Sequence, residues 1–452
     1  MIKENELKTI NRILQINSSD LAGGAERVSY NLHKSYIKKG LHSWLVVGKK
    51  HSLDEDIFEL DHFKNKNYIA RYLKKIARSF EEKQEQVRGA YRIRKLFETL
   101  ADPYRAFINR RGYEDFNFPG TYDLLNLTPS EPQLVHCHNL HGGYFDLGAL
   151  PWLSNKLPLV ITLHDAWLLS GHCAHSFGCN RWLRGCGQCP DLSIPPSIPR
   201  DKTDQNWERK REIFTRSRLF IASPSKWLMD KVKQSMLIGF DYKVIPNGVD
   251  LNIFQPKNKL EARKDLQLPM DVSILLFASH MTKSNPWRDY STLEKAVRLI
   301  KNSKPNCKII FICLGENGKN EKLGDIEIYF LPYQKESVNV AKYYQAADIY
   351  LYAAKADTFP NTVIESLACG TPVISTSVGG IPEQIQNGVN GFLVPPRDSY
   401  AISSCVERLL SDKELLDSFS FNSAQIAKNL FGLETQVDKY LSWYNEIINE
   451  KM

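Results

Sequence analysis

Short runs of Val, Ile and Leu alternate with longer amphipathic stretches along the whole chain. In the first half the runs are "RILQI", "SWLVV", "LVHCH", "LVITL" and "LFIA"; in the second they are "SILLFA", "KIIFICL", "EIYFL", "IYLYAA" and "PVIST". Such runs predict strands, and the stretches between them, residues 24–38 for example, place apolar residues at helical spacing. Strands alternating with helices predict βαβ units and parallel sheets. The pattern occurs twice without a short internal sequence repeat. The expected fold is therefore α/β, with two Rossmann-like domains whose parallel sheets face across a cleft, where ligands bind at the carboxyl ends of the strands. The join is placed at "VIPNGVDLNIFQP", residues 244–256, which is rich in turn formers. The expected domains are 1–242 and 243–430, followed by a C-terminal helix within 431–452 that packs back on the first domain.

A length of 452 residues suits two or three domains, and 42% hydrophobic with 24% charged residues is ordinary for a soluble globular chain. No run approaches the ~18–20 apolar residues that span a bilayer. The opening "MIKENELKTINRILQIN" has charges where a signal peptide needs its apolar stretch. A cytoplasmic location is expected, and there clustered cysteines more often bind metal than pair. The net charge of +8 is uneven: residues 62–118, read as a basic helical insertion, hold 14 Lys or Arg against 7 Asp or Glu. Within them Ile69, Tyr72, Leu73, Ile76 and Phe80 recur at helical spacing, with Arg71, Lys74, Lys75 and Arg78 between. A basic amphipathic helix fits an anionic membrane surface or a charged substrate, and equally a solvated face.

The stretch "HDAWLLSGHCAHSFGCNRWLRGCGQCP", residues 164–190, holds four of the nine cysteines. Their spacing, Cys173-x5-Cys179-x6-Cys186-x2-Cys189, contains one short knuckle, where common zinc fingers have two or add a histidine pair. This argues against a zinc-dependent nucleic-acid-binding protein, and no nucleic-acid partner is expected. A structural tetrathiolate zinc is the leading account of the Cys-rich loop 172–190; paired disulfides and buried thiols remain open. No G-x-G-x-x-G follows the first strand, so a nicotinamide oxidoreductase is disfavoured.

The richest stretch is "ADTFPNTVIESLACGTPVISTSVGGIPEQIQNGVNGFLVPP", residues 356–396. A strand ending near Ala353 leads to a loop carrying Asp357, then to a short helix from about Asn361 to Cys369 with Glu365 in its second turn. Gly370 is placed as the helix stop. Carboxylates accept hydrogen bonds from vicinal hydroxyls, and the N–H groups at the helix start, by Asn361 and Thr362, favour phosphate.

Two acids separated by seven residues, then "ACG-PV" and a "GG-PE" loop, resemble the donor-binding segment of retaining glycosyltransferases of the GT-B fold, family 4. The resemblance implies that Glu365 binds the nucleotide ribose and that Asp357, where Glu is commoner, contacts the donor sugar. "SDLAGGAERVSYNLHKSYIKKGLHSWLVV" resembles the family's first Gly-rich loop and helix, in which Gly23 and Gly24 let the backbone approach the donor phosphates. "LVHCHNLHGGYFDL" and "PLVITLHDAWLLSGHC" are most similar to polysaccharide-assembly enzymes of the colanic-acid cluster type, which also carry a Cys-rich stretch after "TLHD-W". His164 would then contact the donor sugar near the reacting carbon. "VIPNGVD" and "PSKWL" look like the interdomain pieces. In "LFASHMTKSNPWRDYSTLEKAV", Arg288 takes the family's usual Lys position and Asp289 replaces the Gly that normally follows. Ser279 and His280 stand near the usual Arg position, leaving Lys283 as a candidate second cation.

The resemblance implies a retaining hexosyltransferase that moves a sugar from a nucleotide-diphosphate sugar to a glycan or lipid-linked acceptor in cell-surface polysaccharide (exopolysaccharide) biosynthesis. The first domain would take the acceptor and the second the nucleotide sugar, with the enzyme peripheral on the inner face of the plasma membrane. His164, Arg288 and Asp357 are the candidate catalytic residues, and Gly23, Gly24, Asn361, Thr362 and Glu365 the candidate donor contacts. No cofactor is needed for catalysis, because cations and fixed N–H dipoles can stabilise the departing diphosphate. The transition state would be oxocarbenium-like, with the leaving phosphate oxygen taking the acceptor proton and no covalent nucleophile. A nucleotide-sugar epimerase or hydrolase of the same fold is the alternative.

Overall fold

The computed structural model describes residues 8–450 apart from 22, 65, 83–86, 88, 282, 301–307 and 324–325. The chain divides into two compact units, one of Met1–Ser223, Met229–Lys243 and Leu441–Met452, the other of Pro224–Leu228 and Val244–Tyr440.

The first unit is built on a sheet of seven strands: β1 (Arg12–Ser19), β2 (His42–Lys49), β3 (Ile57–Glu59), β4 (Leu134–Cys137), β5 (Leu159–Thr162), β6 (Phe220–Ser223) and β7 (Asp241–Val244), in the order β3-β2-β1-β4-β5-β6-β7. Pairing from β3 across to β6 is parallel. The central strands are covered on both faces, which is why Ile13, Leu14 and Ile16 of β1 and all of β5 are buried. Helix α1 (Gly24–Lys38) connects β1 to β2. The basic stretch forms α2 (Tyr68–Glu82), α3 (Ala90–Ala101) and α4 (Pro103–Arg110). Here α2 packs along α3 and buries its small residues, Ala70 and Ala77, while Ile69 is 67% and Tyr72 55% exposed. Of the apolar stripe expected at helical spacing, Ile69 and Tyr72 are thus outward, while Leu73, Ile76 and Phe80 are half-buried and Phe80 stacks on Phe97 of α3, with ring centroids 6.3 Å apart. The last helix, Leu433–Asn449, brings Tyr444 into this unit, where its hydroxyl lies 2.6 Å from His136 Nδ1 and 3.2 Å from the Tyr36 hydroxyl.

The second unit holds β8 (Val272–Ala278), β9 (Lys308–Leu314), β10 (Glu321–Leu323), β11 (Ile326–Leu331), β12 (Ile349–Tyr352), β13 (Val373–Thr376) and β14 (Gly391–Val394), in the order β10-β11-β9-β8-β12-β13-β14. Among these pairs only β10 with β11 is antiparallel. Its core runs through β8, β9 and β12 to the helix Asn361–Ala368. Both units thus carry a largely parallel sheet, and in such sheets ligand-binding loops leave the carboxyl ends of the strands.

Candidate active site

In the first unit His164 and Asp165 follow β5 directly, and His138 follows β4. Because β4 and β5 run parallel with Cys137 opposite Ile161, their carboxyl ends deliver these residues side by side. His164 Nε2 lies 3.1 Å from His138 Nδ1. Burial holds both rings neutral, pulling His164 down to about 4 and His138 well below its usual value. Asp165 Oδ1 accepts the Trp167 N–H at 2.8 Å, and its Oδ2 pairs with His141 Nε2 at 2.8 Å. Burial opposes charge on both partners, but their attraction prevails: His141 is raised and Asp165 lowered. His141 lies in "NLHGG", a motif to which the sequence reading gave no role.

Cys173, Cys179, Cys186 and Cys189 are free thiols. Among the described residues no group of three or more His, Cys, Asp and Glu side chains is placed to hold a metal ion. His172 Nδ1 donates to the Pro196 carbonyl at 3.0 Å, and its Nε2 faces Cys189 Sγ at 3.3 Å. The Gly171 N–H points to Cys186 Sγ, also at 3.3 Å. Beneath the start of the loop lies a fully buried cation. Lys210 Nζ donates to the carbonyls of Trp167 and Ser170, each at 3.0 Å, and pairs with Glu114 at 2.8 Å. Glu114 also accepts the Trp167 indole N–H. The turn that follows His164 is therefore tied down from below by one lysine, which no motif singles out.

Gly23 and Gly24 open α1, with Gly23 as a cap that offers no side chain. Asn17 and Ser18, at the end of β1, brace this turn: Asn17 Nδ2 donates to the Ala25 carbonyl at 3.2 Å, and Ser18 Oγ donates to Glu26 Oε1 at 2.6 Å. The helix start therefore already has a carboxylate in its first turn. Glu26 Oε2 lies 2.6 Å from where a Cβ on Gly23 would stand.

In the second unit Asp357 and Arg288 meet. Arg288 Nη1 lies 3.0 Å from Asp357 Oδ2, which also accepts the Tyr352 hydroxyl at 2.7 Å. The guanidinium covers the Tyr352 ring, 4.9 Å from its centroid. Burial works against the arginine's charge, yet Tyr352 and Asp357 raise its pKa above the usual value. Asp289, in the place of the usual Gly, has a local purpose: it caps the helix Tyr290–Leu299, accepting from Thr292 N at 3.3 Å and Thr292 Oγ1 at 2.7 Å. Lys283 Nζ is engaged by Glu321 at 3.1 Å and covers the Phe330 ring at 4.0 Å. His280 packs near Tyr333, with ring centroids 5.4 Å apart.

Glu365 is held by a different tyrosine, Tyr344, whose hydroxyl donates to Oε2 at 3.2 Å. Tyr344, Tyr350 and Tyr352 form a row, with successive ring centroids 5.3 and 6.0 Å apart. Asn361 Oδ1 accepts from Asn247 Nδ2 at 2.9 Å, so "IPNGVD" supports the helix start. The two-glycine turn lies under the Asp357 loop. Gly379 has φ +59°, and a Cβ there would fall 1.8 Å from the Asp357 carbonyl oxygen. Glu383 accepts from the N–H groups of Lys226 and Trp227, both at 2.8 Å, which joins "GGIPE" to "PSKWL". The tyrosine row escaped the sequence reading. Its one signal was the alternation in "IYLY", which also marks an ordinary strand.

Residues 22–253 match the family profile described as Glycosyltransferase Family 4, and residues 273–412 the profile described as Glycosyl transferases group 1. The chain belongs to glycosyltransferase family 4. The putative colanic acid biosynthesis glycosyl transferase WcaC of Escherichia coli K12 is 22% identical over 437 residues, which are 93% of this chain and 92% of WcaC. The D-inositol 3-phosphate glycosyltransferase of Thermobispora bispora is 28% identical over 219 residues, 45% of this chain; the match spans 50% of that relative's length. Among solved structures, the sucrose-phosphate synthase of Thermosynechococcus elongatus superposes with a TM-score of 0.64 at 16% identity, covering 98% of this chain and 100% of that one. Anabaena HepE in complex with UDP-glucose gives 0.59 at 15%, covering 96% and 99%. At such identities the likeness carries the fold, GT-B. For this family-4 chain the two units accordingly contain separate clusters, His138–His164–Asp165–His141 in one and Arg288–Asp357–Tyr352 with Glu365 in the other.

Proposed function

We propose that this protein transfers a hexose from a nucleotide-diphosphate sugar to a glycan or lipid-linked acceptor, with retention of anomeric configuration, in the assembly of a cell-surface polysaccharide. The observation that carries this reading is the end-to-end likeness to WcaC, 93% of this chain against 92% of that one. It is supported by the placement of two acids, Asp357 and Glu365, at the carboxyl edge of the second unit's sheet and on the helix that follows. Glu365 and the start of the helix Asn361–Ala368 would hold the nucleotide. Arg288 is positioned by Asp357 to meet the diphosphate, where a fixed cation stabilises the leaving group as its charge grows. Asp357 would face the sugar. The departing phosphate oxygen takes the acceptor proton. A thermal-shift and product screen against nucleotide sugars tests the scheme. A donor should stabilise the wild type but not Glu365→Ala, and the product should keep the donor's anomeric configuration. An inverted product would remove retention; hydrolysis or epimerisation without acceptor would favour the alternative of the same fold.

The helices α2–α4 favour a lipid-linked acceptor at an anionic membrane surface. Tyr68, Ile69, Tyr72, Tyr91, Leu96 and Phe107 are all at least half exposed, and Arg71, Lys75 and Arg92 are exposed beside them. Exposed aromatic and aliphatic side chains interleaved with cations suit the lipid interface. No described helix is long and apolar enough to cross a membrane.

A further inference from the structure

Shortly after β4 the chain enters "NLHGG", residues 139–143, a tight loop with His141 at its centre. The Tyr144 hydroxyl donates to the Asn139 carbonyl at 2.6 Å and closes the loop. Gly142 and Gly143 carry the chain round at φ +102° and +76°, where side chains are rarely tolerated. Tyr144 is buried, so the loop is pinned to the core of the first unit.

The ring of His141 is aimed by its neighbours. Its Nε2 pairs with Asp165 Oδ2 at 2.8 Å, and Asp165 Oδ1 accepts the Trp167 N–H at the same distance. The ring stands edge-on to that of Trp167, with centroids 5.5 Å apart. Trp167 is anchored in turn, its carbonyl by Lys210 and its indole by Glu114. Burial opposes charge on Asp165, but His141 and the Trp167 N–H hold its carboxyl below the usual range. A carboxylate can only accept, so His141 keeps a proton on Nε2 whether the ring is neutral or charged. Its other nitrogen, Nδ1, has no hydrogen-bond partner among the described residues and is not buried. A histidine held at one nitrogen by a carboxylate and free at the other is an aimed ligand-binding group. Besides Asp165, the charged groups that act on it are Glu26 and Lys210. Glu26 is bonded to Ser18, whose Cβ lies 3.7 Å from where a Cβ on Gly142 would stand.

We propose that His141, aimed by Asp165, binds a hydroxyl of the sugar acceptor through Nδ1. The ligand class follows from the donors and acceptors present. A neutral ring accepts at Nδ1 and a protonated one donates there, and a hydroxyl can answer either. A phosphate oxygen answers only the protonated ring and also meets the negative charges of Asp165 and Glu26. The site therefore takes an uncharged polyol, and any phosphate of a lipid-linked acceptor is bound elsewhere. Asp165 is a positioning residue. This inference rests on the glycosyltransferase reading for the role of the sugar as acceptor, but its binding at His141 can be tested without that reading.

The experiment is long-range proton–nitrogen NMR on the full chain labelled with 15N-histidine, the His141 signals being identified by their loss in His141→Gln. Nε2 should stay protonated throughout a pH titration while Nδ1 alone titrates. Asp165→Asn should move that titration to lower pH, because it removes the carboxylate that favours the charged ring. A neutral wild-type ring with a bare Nε2 overturns the proposal. The probes are methyl glucoside, methyl galactoside and methyl mannoside at millimolar concentration, set against inorganic phosphate. At least one hexoside should shift the Nδ1 signal, and phosphate should not. A shift by phosphate alone, or by none of the probes, overturns the proposal as well. In kinetics, His141→Ala should raise the KM for the acceptor about tenfold, the worth of one hydrogen bond, with the KM for the nucleotide sugar unchanged. His141→Gln, which keeps a donor and an acceptor, should recover part of the loss. An equal rise in both KM values would make His141 merely structural. If the wild type turns over no nucleotide sugar, the glycosyltransferase reading fails while the hexoside result stands.

Discussion

Arg288 and Asp357 are bonded to each other, Nη1 to Oδ2 at 3.0 Å, with Tyr352 as a shared partner beneath them. The sequence reading gave them separate tasks, one on the diphosphate and one on the sugar. Their pairing makes them one device. Arg288→Ala and Asp357→Ala should each lower kcat/KM by roughly 100-fold, because each leaves its partner's charge misdirected. The double variant should lose little more than either single. A double-mutant cycle measures this directly, and losses that multiply would show two independent groups.

The Lys210–Glu114 pair predicts a stability effect with a readable local signature. Lys210→Met leaves a mostly buried carboxylate without its cation, and breaking such a pair costs about 3–5 kcal/mol. Denaturant midpoints should fall accordingly, and Lys210→Met with Glu114→Gln should recover part of the loss. A midpoint unchanged in the single variant would mean that the pair does not hold the turn after His164.

The thiols of the Cys-rich loop should react in an order set by burial. Burial pushes Cys186 up to about 12, so it should be alkylated more slowly at neutral pH than the less buried Cys189. Mass spectrometry of timed alkylation checks the order. If all four thiols resist together and a chelator releases them with stoichiometric zinc, the tetrathiolate expected from the spacing exists in solution and the loop regroups around the ion.

Acid should destabilise the first unit from an unusually high pH. Burial lowers His33, His62 and His164 to about 4 and His136 to about 3, and His138 also falls well below its usual value. The unfolded chain takes up these protons near pH 6.5, while the native chain refuses them until about 4. The unfolded state thus binds more protons between those values, and stability falls as pH drops through that window. Each such ring contributes up to about 1.4 kcal/mol per pH unit. His141, raised by Asp165, works in the opposite sense, since its contribution is lost as pH rises. Melting temperatures recorded from pH 7 to 5 should decline steadily, and a flat profile would contradict the neutral cluster.

Membrane docking by α2–α4 is tested by liposome sedimentation. The choice of residues matters. Arg78 pairs with Glu59 at 2.8 Å, and Lys74 covers the Phe63 ring, so reversing either disturbs the unit itself. Charge reversal at Arg71, Lys75 and Arg92 should reduce sedimentation with anionic vesicles at least tenfold, about 1 kcal/mol being the worth of one cation near such a surface. Neutral vesicles should bind weakly throughout. Binding unchanged by all three substitutions would remove the membrane from the account.

The ten strands read from apolar runs all exist, and the four further strands among the described residues, β3, β7, β10 and β14, are the outer strands of the two sheets. For β7 the reason is physical, whereas β14, "GFLV", is apolar and largely buried and its short run was not read as a strand. A central parallel strand is covered on both faces and needs a continuous apolar run, whereas an edge strand such as "DYKV" is covered by little and carries polar residues. The site was legible to the same degree. Asp357 and His164 stand just beyond the carboxyl ends of strands and Glu365 on the helix that follows, where chain order alone could place them. The groups that orient them could not be read, because Tyr344, Lys210 and His138 lie 21, 46 and 26 residues away in sequence and reach the site only through folding. The apolar stripe of α2 misled for a related reason. Periodicity identifies a face but not how much of it is covered: Phe80 stacks on Phe97 of α3, whereas Ile69 and Tyr72, at the start of the same stripe, stay outward.

The row Tyr344, Tyr350 and Tyr352 joins the two acids of the second unit to one rigid ladder. Asp357 hangs from one end and Glu365 from the other. A change of ring size or tilt anywhere along it would shift both carboxylates together. On the proposed function, donor preference could then be altered without touching either acid. In engineering terms the ladder is a tuning peg set behind the two acids, and Tyr350, which bonds neither acid, is where to turn it.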